Sequence, residues 1–187
     1  MADFFDSILA FGPLSVEARN ALRSILVRKE AQKGEVLVKE GSVCNYLYFV
    51  ESGLTRTYYY KEDRYVTDWI SMEGMFACSI MSFISRQPDR RGIETLEESV
   101  LYGLPYYETE QLCARHHDVE RLMRRLVSHG LIQVQQRFDD LHFSTAFERY
   151  RKLIERTPGL LQRVPLGMLA SYLGMSQETL SRIRRQV

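Results

Sequence analysis

Residues 163–187 read Arg163-Val-Pro-Leu-Gly-Met-Leu-Ala-Ser-Tyr-Leu-Gly-Met-Ser-Gln-Glu-Thr-Leu-Ser-Arg-Ile-Arg-Arg-Gln-Val187, and this stretch decides the fold. Leu166, Leu169, Ala170 and Leu173 recur at helical spacing and give a first helix one apolar face. Gly174 supplies a residue that turns with positive φ, and Met175 can drop back into the core. Ser176 is a good N-cap for a second helix, with Thr179 rather than Glu or Gln at the position that would complete a capping box. In that helix Leu180 and Ile183 face inward. Gln177, Glu178, Ser181, Arg182, Arg184 and Arg185 are left outside. The layout is that of a helix-turn-helix whose second helix enters a DNA major groove.

An ordinary helical hairpin would show the same spacing, so the charge distribution carries weight. Residues 145–187 hold eight basic side chains against three acidic ones, a net of +5. Residues 1–144 carry 17 basic and 21 acidic groups, a net of −4. The overall charge of +1 therefore hides a basic end on an acidic body, as attraction to phosphates requires. With 187 residues there is room for one good core and a small second domain. No apolar run approaches the roughly 18 residues that span a bilayer. Met1-Ala-Asp-Phe-Phe-Asp6 lacks a basic secretory region, so no membrane partner and a cytoplasmic location are expected. Cys44, Cys78 and Cys113 are odd in number and widely spaced, which suggests reduced thiols and neither a disulfide framework nor a metal site.

Working back towards the N-terminus, the period changes twice. Helices are expected over residues 3–10 and 15–27, the second capped by Ser15. From Gly34 the chain turns to short β-rich runs: near Val36-Leu37, Tyr46–Val50, Leu54–Tyr60, Tyr65–Ile70, Gly92–Leu96 and Val100–Leu104. Glu51-Ser52-Gly53 reads as a tight hairpin, Lys61-Glu62-Asp63 as a second turn, and residues 77–86 as a short helix or loop. Such a series predicts an antiparallel jelly-roll barrel. After Pro105 the helical period returns, with one long helix expected over 106–144. Val119, Leu122, Met123, Leu126, Val127, Gly130 and Val134 mark its apolar stripe, which continues through Phe138 and Leu141. A helix this long needs two surfaces to cover it: its own barrel, and the same helix of a second chain. Gly130 costs helix stability and is explained by close helix–helix approach. Residues 145–157 form a further amphipathic helix, ended by Pro158-Gly159. The fold class is α+β, with a barrel over residues 1–105, a connecting and dimerisation helix over 106–144, and an all-α helix-turn-helix domain over 145–187.

This order resembles the Crp/Fnr superfamily of bacterial transcription regulators. Lys33-Gly-Glu-Val-Leu-Val-Lys-Glu-Gly41 is similar to the family's first barrel strands, and Tyr46-Leu-Tyr-Phe-Val-Glu-Ser-Gly-Leu54 to its next hairpin. Ala170-Ser-Tyr-Leu-Gly-Met-Ser-Gln-Glu-Thr-Leu-Ser-Arg182 carries the specific match to its recognition helix. The resemblance implies a homodimer that binds double-stranded DNA and works with RNA polymerase, with a small-molecule effector in the barrel. It implies base reading by Glu178 and Arg182, with Gln177 where many members have Arg. Glutamine fits adenine, whereas arginine would fork onto guanine. Ser171, Ser176, Arg184 and Arg185 are the candidates for phosphate contacts. The sequence ends one residue after Gln186, so no wing is expected beyond this helix.

The effector pocket departs from the family pattern. Members that bind cyclic AMP have Phe-Gly-Glu before a short helix and Arg-Ser/Thr-Ala after it; here the stretch reads Met75-Phe-Ala-Cys-Ser-Ile-Met-Ser-Phe83. Neither Cys78 nor Ser79 can replace a ribose-binding carboxylate. Arg90 and Arg91 stay near the expected phosphate position. The effector is unidentified, cyclic AMP is not expected, and neither a metal nor an iron–sulfur cluster is expected. Two other readings stand beside this one. The first is a sensor module that binds an effector or partner without binding DNA. The second, a jelly-roll enzyme of cupin type, needs metal-binding histidines in the barrel, whereas His116, His117, His129 and His142 all follow it. The chain is therefore read as a regulator and not an enzyme.

Overall fold

The computed structural model describes residues 3–186; Met1, Ala2 and Val187, which entered the sequence reading, lie outside the described residues. Two short helices open the chain, α1 (Phe4–Leu9) and α2 (Val16–Ile25). Asp3 caps the first by accepting from the Asp6 amide, and Ser15 caps the second by accepting from the Ala18 amide. Eight strands follow: β1 (Val27–Ala31), β2 (Val36–Val38), β3 (Tyr46–Ser52), β4 (Thr55–Lys61), β5 (Arg64–Ser71), β6 (Phe76–Ala77), β7 (Gly92–Thr95) and β8 (Ser99–Pro105). A six-residue helix, α3 (Ile80–Ser85), interrupts them after β6. The strands form two antiparallel sheets, ordered β1-β8-β3-β6 and β2-β7-β4-β5, which make the expected jelly roll.

The turn at Glu51-Ser52-Gly53 is not the hairpin its sequence predicts. β3 pairs with β8 and β6, whereas β4 pairs with β5 and β7, so the chain changes sheets there. Gly53 permits the crossing with φ +97°, and a Cβ on it would stand 2.2 Å from the Ser99 hydroxyl oxygen. Leu54 then donates its amide to Ser99 Oγ and accepts at its carbonyl from the Leu96 amide at 2.7 Å. The tight hairpin is instead β4–β5. Its two-residue turn, Glu62-Asp63, takes φ of 51° and 58°, and these left-handed residues match the twist of the flanking strands. The helix expected over 15–27 stops at Ile25, and β1 begins two residues later as an edge strand paired to β8. Its polar run Arg28-Lys29-Glu30 hides it from periodicity, as suits an exposed edge.

The stretch 106–144 is likewise not one helix. α4 (Tyr106–Arg115) and α5 (His117–Phe143) are separated by His116, whose backbone is extended. No Pro or Gly marks that break. It lets Leu112 of α4 and Val119 of α5 enter the same barrel core. Val119, Leu122 and Leu126 are buried in this core, so three of the residues expected to face a second chain pack on their own barrel. Met123 is packed against that core as well. Beyond this point Val127, Leu131, Val134, Phe138 and Leu141 of α5 are all exposed.

α6 (Ala146–Arg156) starts from a complete capping box in which Thr145 and Glu148 exchange hydrogen bonds. α7 (Leu160–Arg163), α8 (Leu166–Tyr172) and α9 (Gln177–Arg184) complete the chain. Their core combines Tyr150, Leu160, Leu169, Leu173, Leu180 and Ile183 with Leu54, Ile70 and Leu96 from the barrel. Arg163 ties the same contact electrostatically. Its guanidinium donates to both Glu73 carboxylate oxygens at 2.7 and 3.0 Å, to Glu97 at 2.5 Å and to the Gly53 carbonyl at 3.1 Å.

This clamp has a calculable cost when removed. Charge-assisted hydrogen bonds at a half-buried site contribute about 1–3 kcal/mol, so Arg163→Ala should lower unfolding stability by that amount. Burial alone would raise the Glu73 pKa, but the bond and charge of Arg163, together with backbone amides of Glu73 and Gly53, outweigh it and hold the carboxyl below its ordinary 4.5. Its contribution is therefore complete above about pH 4.5 and lost as pH falls through the depressed value. Urea titrations followed by the fluorescence of Trp69, the sole tryptophan, should show the wild-type advantage over Arg163→Ala shrinking as the solution is acidified below that value.

Candidate nucleic-acid interface and effector cassette

The second helix of the pair, α9, is built as a presented surface. Gly174 turns the chain with φ +65°, close enough to α5 that a Cβ would stand 2.8 Å from a Leu141 methyl. Met175 packs partly into the domain core, and Ser176 caps α9 by accepting from the Thr179 amide at 3.2 Å. Leu180 and Ile183 are buried, while Gln177, Glu178, Arg182, Arg184 and Arg185 are exposed. Gln177, Glu178, Ser181, Arg182 and Arg185 line one shallow concavity together with Leu166 of α8. Among the described residues no carboxylate pairs with Arg182, Arg184 or Arg185. Arg182 touches only the Thr179 hydroxyl, at a long 3.4 Å.

Glu178 lies in the first turn of α9, where its own amide and the Ser176 hydroxyl hold its pKa below the ordinary value. It is therefore ionised at neutral pH and acts as an acceptor only. The surface thus offers a carboxylate acceptor, an amide that both donates and accepts, and free guanidinium donors. These are the groups that major-groove base edges and phosphates can engage.

Ser171 departs from this set. Its hydroxyl accepts from the Thr67 amide of β5 at 2.9 Å, so it pins α8 to the barrel and does not join the outward-facing group. Sequence spacing could not show this, because the partner is 104 positions away. Arg137 of α5 makes a parallel tie. It donates to the Asp68 and Tyr172 carbonyls and lies 4.0 Å from the Tyr172 ring centroid.

In the barrel, two of the four candidate effector residues, Ser79 and Arg91, meet at one carboxylate. Ser79 donates to Asp89 at 2.6 Å, and Arg91 donates to Asp89 at 3.1 Å and to Asp68 at 2.7 Å. Burial opposes ionisation of Asp89, yet the bonds from Ser79 and Arg91 hold its pKa down, so it is an anion at neutral pH. Cys78 adjoins Ser79, with its sulfur 3.9 Å from that of Cys44. Arg90 stands apart, exposed and lying over the Tyr59 ring. Asp68 and the pairings of Asp89 with Ser79 and of Cys44 with Cys78 were not evident from sequence, since these partners lie 10 to 34 positions apart.

Residues 28–116 match the family model of the cyclic nucleotide-binding domain. The fold so defined is a jelly-roll barrel followed by a long helix and a helix-turn-helix. This is the Crp/Fnr fold. FixK2 from Bradyrhizobium japonicum superposes with a TM-score of 0.76 at 19% identity, covering 87% of this chain and 84% of that one. The c-di-GMP responsive global regulator CLP from Xanthomonas campestris gives 0.69 at 18% identity, over 92% and 91%. The catabolite activator protein of Thermus thermophilus gives 0.59 at 22%, over 96% and 85%. No curated protein matches the sequence.

The residues present do not fit a cyclic nucleotide. Arg91 is already engaged by two carboxylates, so a ligand phosphate would have to displace Asp89 and overcome its negative charge. Ala77, Cys78 and Ser79 provide no carboxylate for a ribose. Titration calorimetry with cyclic AMP should accordingly show no saturable heat. Asp89→Asn, which removes the charge and leaves the shape, should be the variant in which any nucleotide or phosphate affinity emerges.

Proposed function

We propose that the chain is a homodimeric DNA-binding transcription regulator of Crp/Fnr type. The observation that carries the reading is α9, with Leu180 and Ile183 buried on one face and Gln177, Glu178, Arg182 and Arg185 exposed on the other. Glu178 accepts from a cytosine amine, Arg182 donates to guanine, and Gln177 suits adenine, each good pair contributing roughly 1–3 kcal/mol of discrimination. Arg184, Arg185 and the free rim of Ser176 take phosphates, which position the helix without selecting sequence.

The second copy is supported by an exposed apolar seam along the latter half of α5. Val127, Leu131, Val134, Phe138 and Leu141 are spaced 4, 3, 4 and 3 residues apart, the repeat of a two-stranded coiled-coil seam. Nothing lies within 4 Å of where a Cβ on Gly130 would stand, which leaves that side open to a closely packed helix. Pairing along this seam puts two recognition helices about 34 Å apart, one turn of duplex, and demands a near-palindromic site. RNA polymerase is the protein partner and the cytoplasm the place of action in this reading. An effector acting through the barrel would shift the packing of α5 and thereby the helix spacing.

Selection of binding sites from a random duplex pool should enrich an inverted repeat. Arg182→Ala should relax preference at one base position at a cost of about 1–3 kcal/mol, whereas Arg185→Ala should weaken all sequences alike and reduce the salt slope by about 1. Sedimentation should report a dimer for the wild type and a monomer for Leu131→Asp. A wild type that binds an effector but no duplex at low salt would favour the sensor-module reading instead.

A further inference from the structure

Cys44 and Cys78 come from loops 34 residues apart, yet their sulfurs lie 3.9 Å from one another at the base of α3. The surroundings hold them there. The Cys44 amide donates to Ser82 Oγ at 2.9 Å, and Arg86 donates to the Cys44 carbonyl at 2.7 Å and to Asn45 at 2.5 Å. Both ends of that loop segment are thereby tied to the helix that follows Cys78. Arg86 also lies over the Tyr106 ring and has no carboxylate partner among the described residues. Its Nε is buried without a hydrogen-bond partner. A cation left without an anion beside two thiols favours the thiolate form of one of them.

We propose that Cys44 and Cys78 are a peroxide-oxidised dithiol pair that closes to an intrachain disulfide beneath the α3 cassette. The Cys44 thiolate attacks one oxygen of hydrogen peroxide. The S–O bond forms, the O–O bond breaks, and the departing hydroxide takes up the proton that Cys44 gave up, leaving as water. Sulfur is oxidised to the sulfenic acid and the peroxide is reduced. The Cys78 sulfur then attacks the Cys44 sulfur, expelling hydroxide that combines with the Cys78 proton as a second water. The two sulfurs must close by about 2 Å to reach bonding distance.

The division of roles follows from the environment. The hydrogen bond with Cys78 pulls Cys44 down to about 7 against the opposing effect of burial, with the Arg86 charge adding to it. Burial keeps Cys78 protonated, well above the ordinary thiol range, so it resolves and does not initiate. Cys44 is buried and Cys78 half-buried, so the oxidant proposed is a small one. Cys113, pushed by burial up to about 11 and without a thiol neighbour, is an internal control. This inference does not depend on the chain binding DNA.

The full chain is treated with hydrogen peroxide, its free thiols are alkylated, and its peptides are weighed. The expected product joins the Cys44 and Cys78 peptides with loss of two hydrogens, reverts with dithiothreitol, and leaves Cys113 alkylated. Its rate should rise about tenfold from about pH 6 to about pH 8, following the thiolate fraction. Cys78→Ser should halt at a sulfenic acid on Cys44 that dimedone traps, with native Trp69 fluorescence showing that the variant is folded. Oxidation of Cys113 as fast as the pair, or Cys44 and Cys78 both remaining alkylatable, would overturn the proposal. So would a folded Cys78→Ser variant in which dimedone finds no Cys44 adduct.

Discussion

The helix-turn-helix lacks a complete core of its own and completes it on the barrel. Leu54 and Leu96 sit where the chain changes sheets, Ile70 sits near the end of β5, and all three fill the apolar floor beneath α8 and α9. A bundle of four short helices buries too little surface to stand firmly alone, so the borrowed side chains set its position as well as its stability. Arg163 acts at the edge of the same contact, where two carboxylates and the Gly53 carbonyl converge on one guanidinium. Gly53 therefore has two roles. It makes room for the sheet crossing, and its carbonyl anchors the second domain.

That docking links three surfaces that would otherwise be independent. Ser171 bonds α8 to β5, Arg137 bonds α5 to both β5 and α8, and Leu141 of α5 presses on the turn at Gly174. The exposed seam of α5 and the exposed face of α9 are thus connected through these contacts. Short, directional contacts join α5 to α8 and to the turn before α9.

The cassette around α3 holds one guanidinium between two carboxylates and so carries a net negative charge. Asp68 and Asp89 share Arg91, and Ser79 completes the coordination of Asp89. This closes the place where the fold would receive an anion. The charge left over nearby is Arg86, which has no carboxylate partner among the described residues, bonds the Cys44 carbonyl and favours the Cys44 thiolate by its charge. The chemistry available to this barrel is therefore nucleophilic sulfur more than anion capture.

Local sequence determined the helix-turn-helix, the jelly-roll class and the capped ends of the helices. Gly174, Ser176, Leu180 and Ile183 encode their own backbone angles and burial within a dozen residues, where propensity and period are strong. Only the tertiary structure decided that Gly53 turns a corner between sheets and that His116 breaks the helix expected over 106–144. It also decided that Val119, Leu122 and Leu126 belong to their own barrel and that Ser171 faces β5. The same holds for Asp89 meeting Arg91 and for Cys44 meeting Cys78. Each of these depends on a partner brought close by strand pairing or domain docking, and a side chain's spacing along one element carries no record of what another element will place against it.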